Sequence, residues 1–327
     1  MIKKFFTLIS LFFLFGAGKV PKFTELEIKK IEDIRFIKSI GGQGSIPGKF
    51  LFPSDVLILE GKTDYLQRGF DEILVVDKNN HRIQKFDLIL DYEYSFGNFN
   101  QFNSPFSIAG WTKSYIYISD SLNHRIVNYD IKGNFKGILS FLPAKESTLD
   151  TYKLKLNEPK GIDVGKDGNI YIADSGQDRI IVVSPTGYFL YEIKGEEWIA
   201  EYFSNPSDVK IDDSGNIYIA DTGNDRILVF DSLFRRLLLK IEKLNKPEGL
   251  TIDNAGNIFI SDTGNNKVLI YNIKGEFIDR IDYKFNRPLG LAISQEKKTE
   301  KGEIYRNLYV ADSGNHQVLL FRIIYRK

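Results

Sequence analysis

The sequence predicts an all-β fold: a six-bladed β-propeller of four-stranded antiparallel blades, closed by an N-terminal strand that joins the C-terminal blade. Three observations lead to this prediction. A unit of apolar strand, Asp, tight turn, basic residue and second apolar strand occurs six times, at intervals of 41 to 54 residues. A proline precedes the first strand of every unit, and the last unit lacks a fourth strand. Short strands repeated at such a period are typical of a propeller.

The repeated landmarks divide the chain into its blades. Proline has no N–H for a strand ladder, so it marks the entry to a strand rather than its interior. The Asp ends the second strand of each unit, where a turn leads to the third. The prolines are Pro53, Pro105, Pro159, Pro206, Pro247 and Pro288, and the aspartates are Asp77, Asp120, Asp174, Asp221, Asp262 and Asp312.

Blade 4 shows the pattern of one unit. Its strands a to d are predicted at residues 208–212, 217–220, 227–230 and 237–241. Strands b and c carry apolar residues on both faces, which predicts that both faces are covered by neighbouring blades. Strand d alternates more in several units, as expected of a partly solvated outer strand.

The two ends of the chain complete one blade. After Asp312 the chain supplies strand c (residues 318–323) and then ends without a strand d. Residues 35–40 form a spare alternating strand before the first proline. Pairing the two closes the ring and covers the unpaired strand edges.

The N-terminal residues predict export. Lys3 and Lys4 precede an apolar stretch at residues 5–15 and the small residues Gly16, Ala17 and Gly18, as in a secretory signal peptide at residues 1–18. An uncleaved N-terminal anchor is the alternative, and membrane contact is expected only in that case. Residues 19–33 are predicted to be an exposed leader, and residues 34–327 to be the propeller. The expected location is extracytoplasmic, either periplasmic or secreted.

Composition excludes several functions. The chain of 327 residues has 44 Lys and Arg against 43 Asp and Glu. Removing residues 1–18, which hold two lysines, leaves 42 basic and 43 acidic residues. This balance argues against nucleic-acid binding, which needs a basic excess. The absence of cysteine excludes a disulfide framework, a thiolate nucleophile and a zinc–thiolate site.

The units resemble NHL repeats, in which Pro-x-Gly-[Ile/Val] precedes strand–Asp–x–x–Asn–x–Arg-[Ile/Val]–strand. The first part is matched at Pro159–Ile162, Pro247–Leu250 and Pro288–Leu291, and the second at Asp120–Ile126 and Asp221–Ile227. Lys267 and Gln317 replace the Arg, and Gln177 replaces the Asn. The resemblance implies a binding module for proteins, RNA or small ligands. Some related six-bladed propellers are metal-dependent enzymes, including peptide-amidating lyases and lactonases.

The repeated polar residues have structural explanations. Because every blade has the Asp, we expect it to accept turn N–H groups and pair with the following Arg. His81, His124 and His316 occupy one repeat position in blades 1, 2 and 6, which are consecutive around a closed ring. Equivalent turns stand about 10 Å or more apart, whereas zinc needs ligand nitrogens at about 2.0–2.1 Å. The favoured interpretation is a repeat residue, with ligand contact and a shared metal as alternatives.

No catalytic motif is present. The chain lacks a nucleophile elbow, a P-loop, an HExxH motif and a complete EF-hand loop. Calcium-loop fragments occur in the a–b turns at residues 167–169 and 213–216, but further ligands are missing. We therefore predict no catalytic residues, no metal site and no cofactor.

Candidate binding residues lie on the face that bears the d–a and b–c loops. Two long d–a connections carry aromatic residues, which suit an interface but can also cap blade ends. A ring of basic side chains and the three histidines share this face. The candidates are Tyr152, Trp198, Tyr202, Phe203, His81, His124, His316, Arg82, Arg125, Arg179, Arg226 and Lys267.

Two functions follow from this reading. The first is a secreted or periplasmic binding scaffold, monomeric, whose d–a/b–c face binds a protein, peptide or glycan. The second is a metal-dependent lyase or hydrolase with its site at the channel mouth.

Overall fold

The computed structural model describes residues 30–59, 72–112, 115–142, 155–194 and 202–326. The described strands form six antiparallel sheets, one for each blade. Among these residues, none belongs to a helix long and apolar enough to cross a membrane. The predicted signal peptide lies outside the described residues, as does the leader up to residue 29.

The strands follow the predicted order. They are β1 (Ile31–Gly41); β2 (Pro53–Leu59), β3 (Glu72–Asp77), β4 (Arg82–Asp87) and β5 (Tyr92–Phe96) of blade 1; β6 (Pro105–Thr112), β7 (Tyr115–Asp120), β8 (Arg125–Tyr129) and β9 (Phe135–Ile138) of blade 2; β10 (Pro159–Val164), β11 (Ile170–Asp174), β12 (Arg179–Val183) and β13 (Phe189–Ile193) of blade 3; β14 (Asp208–Ile211), β15 (Ile217–Asp221), β16 (Arg226–Phe230) and β17 (Leu237–Ile241) of blade 4; β18 (Pro247–Ile252), β19 (Asn257–Asp262), β20 (Lys267–Asn272) and β21 (Phe277–Arg280) of blade 5; and β22 (Pro288–Ile293), β23 (Lys297–Lys298), β24 (Ile304–Asp312) and β25 (Gln317–Tyr325) of blade 6.

The N-terminal strand closes the ring, which confirms the fold prediction. β1 pairs antiparallel with β25, with Ile34 opposite Ile323 and Ile40 opposite Val318. The strand begins at Ile31, earlier than the predicted residue 35, because its first residues pair with the end of β25. In blade 6 the charged a–b loop adds the two-residue strand β23, which pairs with β24.

The apolar core lies between the blades. Buried side chains of the described residues form six clusters, one between each pair of neighbouring blades. All five residues of β15 are buried, as predicted for a strand covered on both faces. All four residues of β21, an outer strand, are exposed.

The b–c connections are short 3₁₀ turns that share one face with the strand-a entries. In blade 3, Pro159 at the start of β10 pairs with Asp174 at the end of β11, so the d–a and b–c loops lie together as predicted. The turns are Lys78–Asn80, Ser121–Asn123, Ser175–Gln177, Thr222–Asn224, Thr263–Asn265 and Ser313–Asn315.

Candidate functional site

The repeated aspartates hold the b–c turn to the d–a loop of the same blade. In blade 2, Asp120 Oδ1 accepts the N–H of Asn103 at 2.6 Å, and Oδ2 accepts Arg125 Nε at 2.7 Å. Every blade repeats the Oδ1 bond, always from the residue two places before the proline. The structural role of the Asp is thus confirmed, but the backbone N–H that it accepts belongs to the d–a loop and not, as predicted, to the turn. The six donors are Leu51, Asn103, Asn157, Ser204, Asn245 and Asn286.

The histidines join each blade to the next. His81 ends its turn in the left-handed conformation, with φ at 54°, and its Nδ1 accepts the N–H of Ser104 in blade 2 at 3.1 Å. His124 and His316 accept from Glu158 and Phe52 in the same way. In each of these contacts the ring supplies the lone pair of Nδ1 as the acceptor. The three histidines thus play one repeated structural role, the interpretation favoured from the sequence, and ligand contact by them stays a prediction.

The other three blades use a shorter acceptor at the same position. Asp178, Asp225 and Asn266 accept the N–H of Asn205, Lys246 and Arg287 at 2.6–2.7 Å. All six donors stand directly before the repeat proline and have positive φ, between 48° and 54°. This backbone conformation is costly for residues with a side chain. The six contacts, which we call the interblade clasps, hold the donors in it.

The described residues do not bring together a metal site. Within them, no group of three or more His, Asp and Glu side chains is placed to hold an ion. The Nδ1 atoms of the three histidines are occupied in clasps that belong to different blade pairs. The donor set therefore does not fit the shared metal considered as an alternative.

The predicted basic ring is engaged within the chain. Arg125 Nη2 donates to Gln101 O, and Arg226 Nη2 donates to Tyr202 O, each in the d–a loop of its own blade. Arg82 and Arg179 make equivalent bonds to Lys49 O and Lys155 O. Lys267 is exposed. Ligand contact by these side chains stays a prediction.

The predicted aromatic patch divides between surface and core. Tyr202 is 56% exposed, whereas Phe203 is 5% exposed and packs against Phe230 and Phe234. Phe203 thus follows the second interpretation given for it, that of capping a blade end. Trp198 and Tyr152 lie outside the described residues.

Sequence reasoning missed a group of four charged residues around one phenylalanine at the axis of the d–a/b–c face. We call Lys78, Phe106, Lys160, Glu248 and Arg287 the axial cluster. The ammonium groups of Lys78 and Lys160 lie 5.1 and 5.7 Å from the centroid of the Phe106 ring. The members come from blades 1, 2, 3, 5 and 6. Phe106, Lys160 and Glu248 each follow the repeat proline at the start of a strand a. The strands a of neighbouring blades contact one another, so the cluster lies where these innermost strands converge.

The electrostatics of the axial cluster favour negative charge. Burial lowers the pKa of Lys78, Glu248 opposes this effect, and Lys160 and Arg287 add to it by repulsion. Burial also lowers the pKa of Lys160, opposed by Glu248 and Glu158. The environment thus disfavours the cationic forms of both lysines, which an anion placed beside them would stabilise.

A sequence signal for the cluster existed. Lys78 begins the 3₁₀ turn of blade 1, where the other five blades have Ser or Thr. Four of those hydroxyls donate to the carbonyl of the next blade's proline, as Thr222 Oγ1 does to Pro247 O at 2.6 Å. Aligning the six turns would have marked Lys78 as the exception.

The opposite end of the axis holds a cavity of about 430 Å³. Leu57, Ile58 and Ile293 contribute apolar walls, and Asp163 and Lys210 contribute charge. Lys210 Nζ donates to Asp208 Oδ1 at 3.2 Å. Burial raises the pKa of Asp208 to about 6 and also raises that of Asp163. Asp163 Oδ2 accepts the N–H of Ile211 at 2.8 Å, and Asp208 Oδ2 that of Leu250 at 3.0 Å, so these carboxylates tie inner strands together.

Comparisons with known proteins agree with this architecture. Residues 203–230 and 244–271 match the NHL repeat. No curated protein matches the sequence. The fold is similar to that of a streptogramin B lyase, with a TM-score of 0.55 and 16% identity over 90% of this chain and 98% of the lyase.

Two further solved structures share the fold. A structural genomics protein of unknown function from Bacteroides thetaiotaomicron has a TM-score of 0.62 and 12% identity, over 90% of this chain and 76% of that protein. A chain of a nidogen/laminin complex has a TM-score of 0.51 and 18% identity, over 72% of this chain and 97% of that chain. The chain is therefore a six-bladed β-propeller, and two of its units match the NHL repeat.

Proposed function

We propose that this propeller is an exported binding protein whose d–a/b–c face holds a protein, peptide or glycan partner. The observation that carries the proposal is the exception at Lys78. Five blades place a hydroxyl at this position, whereas blade 1 places a cation at the axis, beside Lys160. A binding site needs a few polar or charged groups at a defined place. A lysine that replaces the repeated hydroxyl where the blades converge meets this requirement.

The scaffold supports this role. In all six blades, the repeat aspartates and the interblade clasps hold the b–c turn and the last two residues of the d–a loop. Such a platform loses little conformational freedom when a partner binds, which favours affinity. Export is inferred from the sequence of residues 1–18 alone. The likeness to streptogramin B lyase concerns the fold, since only 16% of residues are identical, and no catalytic role is assigned on that basis.

A comparison of the two faces tests the proposal. Because the chain has no cysteine, one introduced thiol can carry a photo-crosslinker at a single place. Asn79→Cys places it on the d–a/b–c face and Lys166→Cys on the opposite face, and both positions are exposed. We expect the Asn79 variant, incubated with an envelope extract of the source organism, to give a defined adduct that excess unlabelled protein abolishes. Equal adducts from both faces, or an adduct from Lys166→Cys alone, would contradict the proposal.

A further inference from the structure

The cation at Lys78 lacks the partners that charged side chains inside proteins usually have. Elsewhere at the 3₁₀ turns, an arginine is paired with a repeat aspartate, as Arg226 is with Asp221 at 2.7 Å. The ammonium group of Lys78 makes no hydrogen bond or ion pair within the described part of the chain; it contacts the face of Phe106 and interacts electrostatically with Glu248. Lys160 donates to Asn205 Oδ1 at 3.2 Å, a neutral acceptor. Among the described residues, neither of these two half-buried ammonium groups has a carboxylate bonded to it.

The aromatic ring of Phe106 helps to fix the positions of the two ammonium groups. Phe106 follows Pro105 at the start of β6 and is 6% exposed, so its position is set by packing. A cation over an aromatic face is attracted to it but keeps its outward hydrogen-bond donors free. The cluster therefore presents preorganised donors rather than flexible surface lysines.

We propose that the axial cluster binds a carboxylate group, with Lys78 and Lys160 as its ligands on the axis. This inference rests on the proposed function and names the chemistry that the d–a/b–c face recognises. The two inner cations are ammonium groups, and Glu248 interacts electrostatically with both. A carboxylate can lie between the two lysines, where its charge offsets the repulsion between the cations, and it is an anionic group that a protein, peptide or glycan partner can carry. The side chain of an acidic residue and the C-terminus of a peptide both offer such a group.

The experiment uses a matched pair of probes with the full chain. N-acetylglycine carries a carboxylate, and N-acetylglycinamide has nearly the same shape without the charge. We expect saturable NMR shifts of the Lys78 and Lys160 side chains with the acid and none with the amide. Lys78→Ser should raise the dissociation constant at least about tenfold, since it removes a charged donor. Glu248→Gln should lower it several-fold, and Lys166→Ser on the opposite face should leave it unchanged.

The variants guard against misfolding. Serine is native at this position in blades 2, 3 and 6, so Lys78→Ser is expected to fold. If Lys78→Ser does not fold, Lys78→Met replaces it, since methionine keeps the apolar part of the side chain without the charge. Equal responses to acid and amide would overturn the proposal, as would undiminished binding by both Lys78 variants. Tighter binding of inorganic phosphate than of N-acetylglycine would also overturn it. A face-specific crosslink from Asn79→Cys without carboxylate binding would refute this inference alone. Carboxylate binding without the crosslink would refute only the proposed partner surface.

Discussion

At the scale of single residues, one repeat position accepts chemically different side chains because it needs only an acceptor. His81, Asp178 and Asn266 all receive an N–H from the residue before the next blade's proline. All three also adopt the left-handed conformation, which Asn and Asp tolerate better than most residues. The apparent cluster of histidines is thus a product of the repeat.

This explanation predicts different effects for two substitutions of His81. His81→Ala removes the acceptor for Ser104 N–H and should lower the free energy of unfolding by about 1–2 kcal/mol. His81→Asn keeps an acceptor and should stay within about 0.5 kcal/mol of the native protein. Both lose the ring contact with Phe99 at 5.0 Å, so their difference reports the clasp together with the better tolerance of Asn for the left-handed backbone. Urea unfolding measures it, and equal losses would show that the bond contributes nothing.

The carboxyl of Asp208 predicts a dependence of stability on pH. Burial raises its pKa from 3.8 to about 6 in the folded protein. The folded state therefore binds the proton more tightly than the unfolded state between these values. The free energy of unfolding should fall as pH rises from about 4 to about 6, and this contribution should be constant above. Asp208→Asn should flatten that part of the curve in urea unfolding, and an unchanged slope would contradict the assignment.

At the scale of elements, the inner strands approach each other more closely than side chains allow. Gly161 of β10 donates its N–H to Ser207 O of the next blade at 2.9 Å. A Cβ on Gly161 would stand 2.4 Å from the Cα of Asp208. In blade 3 the missing Cβ of Gly161 thus permits the close approach to blade 4, whereas Asp55, Ser107 and Asp208 occupy this position in blades 1, 2 and 4.

Gly161→Ala should destabilise the ring because the atoms that it meets belong to the backbone. We expect a loss of about 1–3 kcal/mol or more, as for overpacked cores. Ser107→Ala is the control, since this position of β6 already carries a Cβ. It loses the hydrogen bond that Oγ donates to Asp55 and the one that it accepts from Ile162 N–H, worth about 1 kcal/mol each. Thermal unfolding compares the two. A smaller effect at Gly161 than at Ser107 would mean that the inner strands can separate freely.

The strands were predicted from sequence more completely than the site. Strands b, c and d of blade 4 fall within one residue of the prediction, because apolar runs bounded by Pro, Asp and Gly mark them clearly. β1 was predicted too short, since an outer strand exposed on one side shows a weaker apolar pattern. The axial cluster was missed because its residues lie far apart in the chain and meet only when the ring closes. Phe203 was ambiguous because an aromatic residue in a loop can face either way.

At the scale of the whole molecule, the ring is closed by hydrogen bonds between the chain ends. Opening it would expose the edge of β25 and the interblade clusters on either side of blade 6. Arg35 of β1 lies opposite Arg322 of β25, in a pair that brings two like charges together.

A disulfide at this pair should stabilise the closed ring. Arg35→Cys/Arg322→Cys introduces two thiols into a chain that has none, so no other pairing within the chain can compete. Oxidation should increase the free energy of unfolding by up to about 5 kcal/mol, because the link closes a very long loop. Reduction should reverse the gain, and Arg35→Cys alone should show none. Equal free energies of unfolding for the oxidised and reduced double variant would mean that the pairing of β1 with β25 does not limit stability.

The two residues before each proline are held by two hydrogen bonds, one to the repeat aspartate and one in the interblade clasp. The geometry of the ring therefore does not depend on the length of the d–a connection. In blade 3, the N–H groups of Asn157 and Glu158 donate to Asp174 and His124. In blade 4, those of Ser204 and Asn205 donate to Asp221 and Asp178. A newly inserted segment can therefore lengthen or diversify upstream of these anchors while the blades keep their places. The d–a/b–c face can therefore acquire new binding specificities during evolution, or carry a grafted peptide by design, while the fold stays the same.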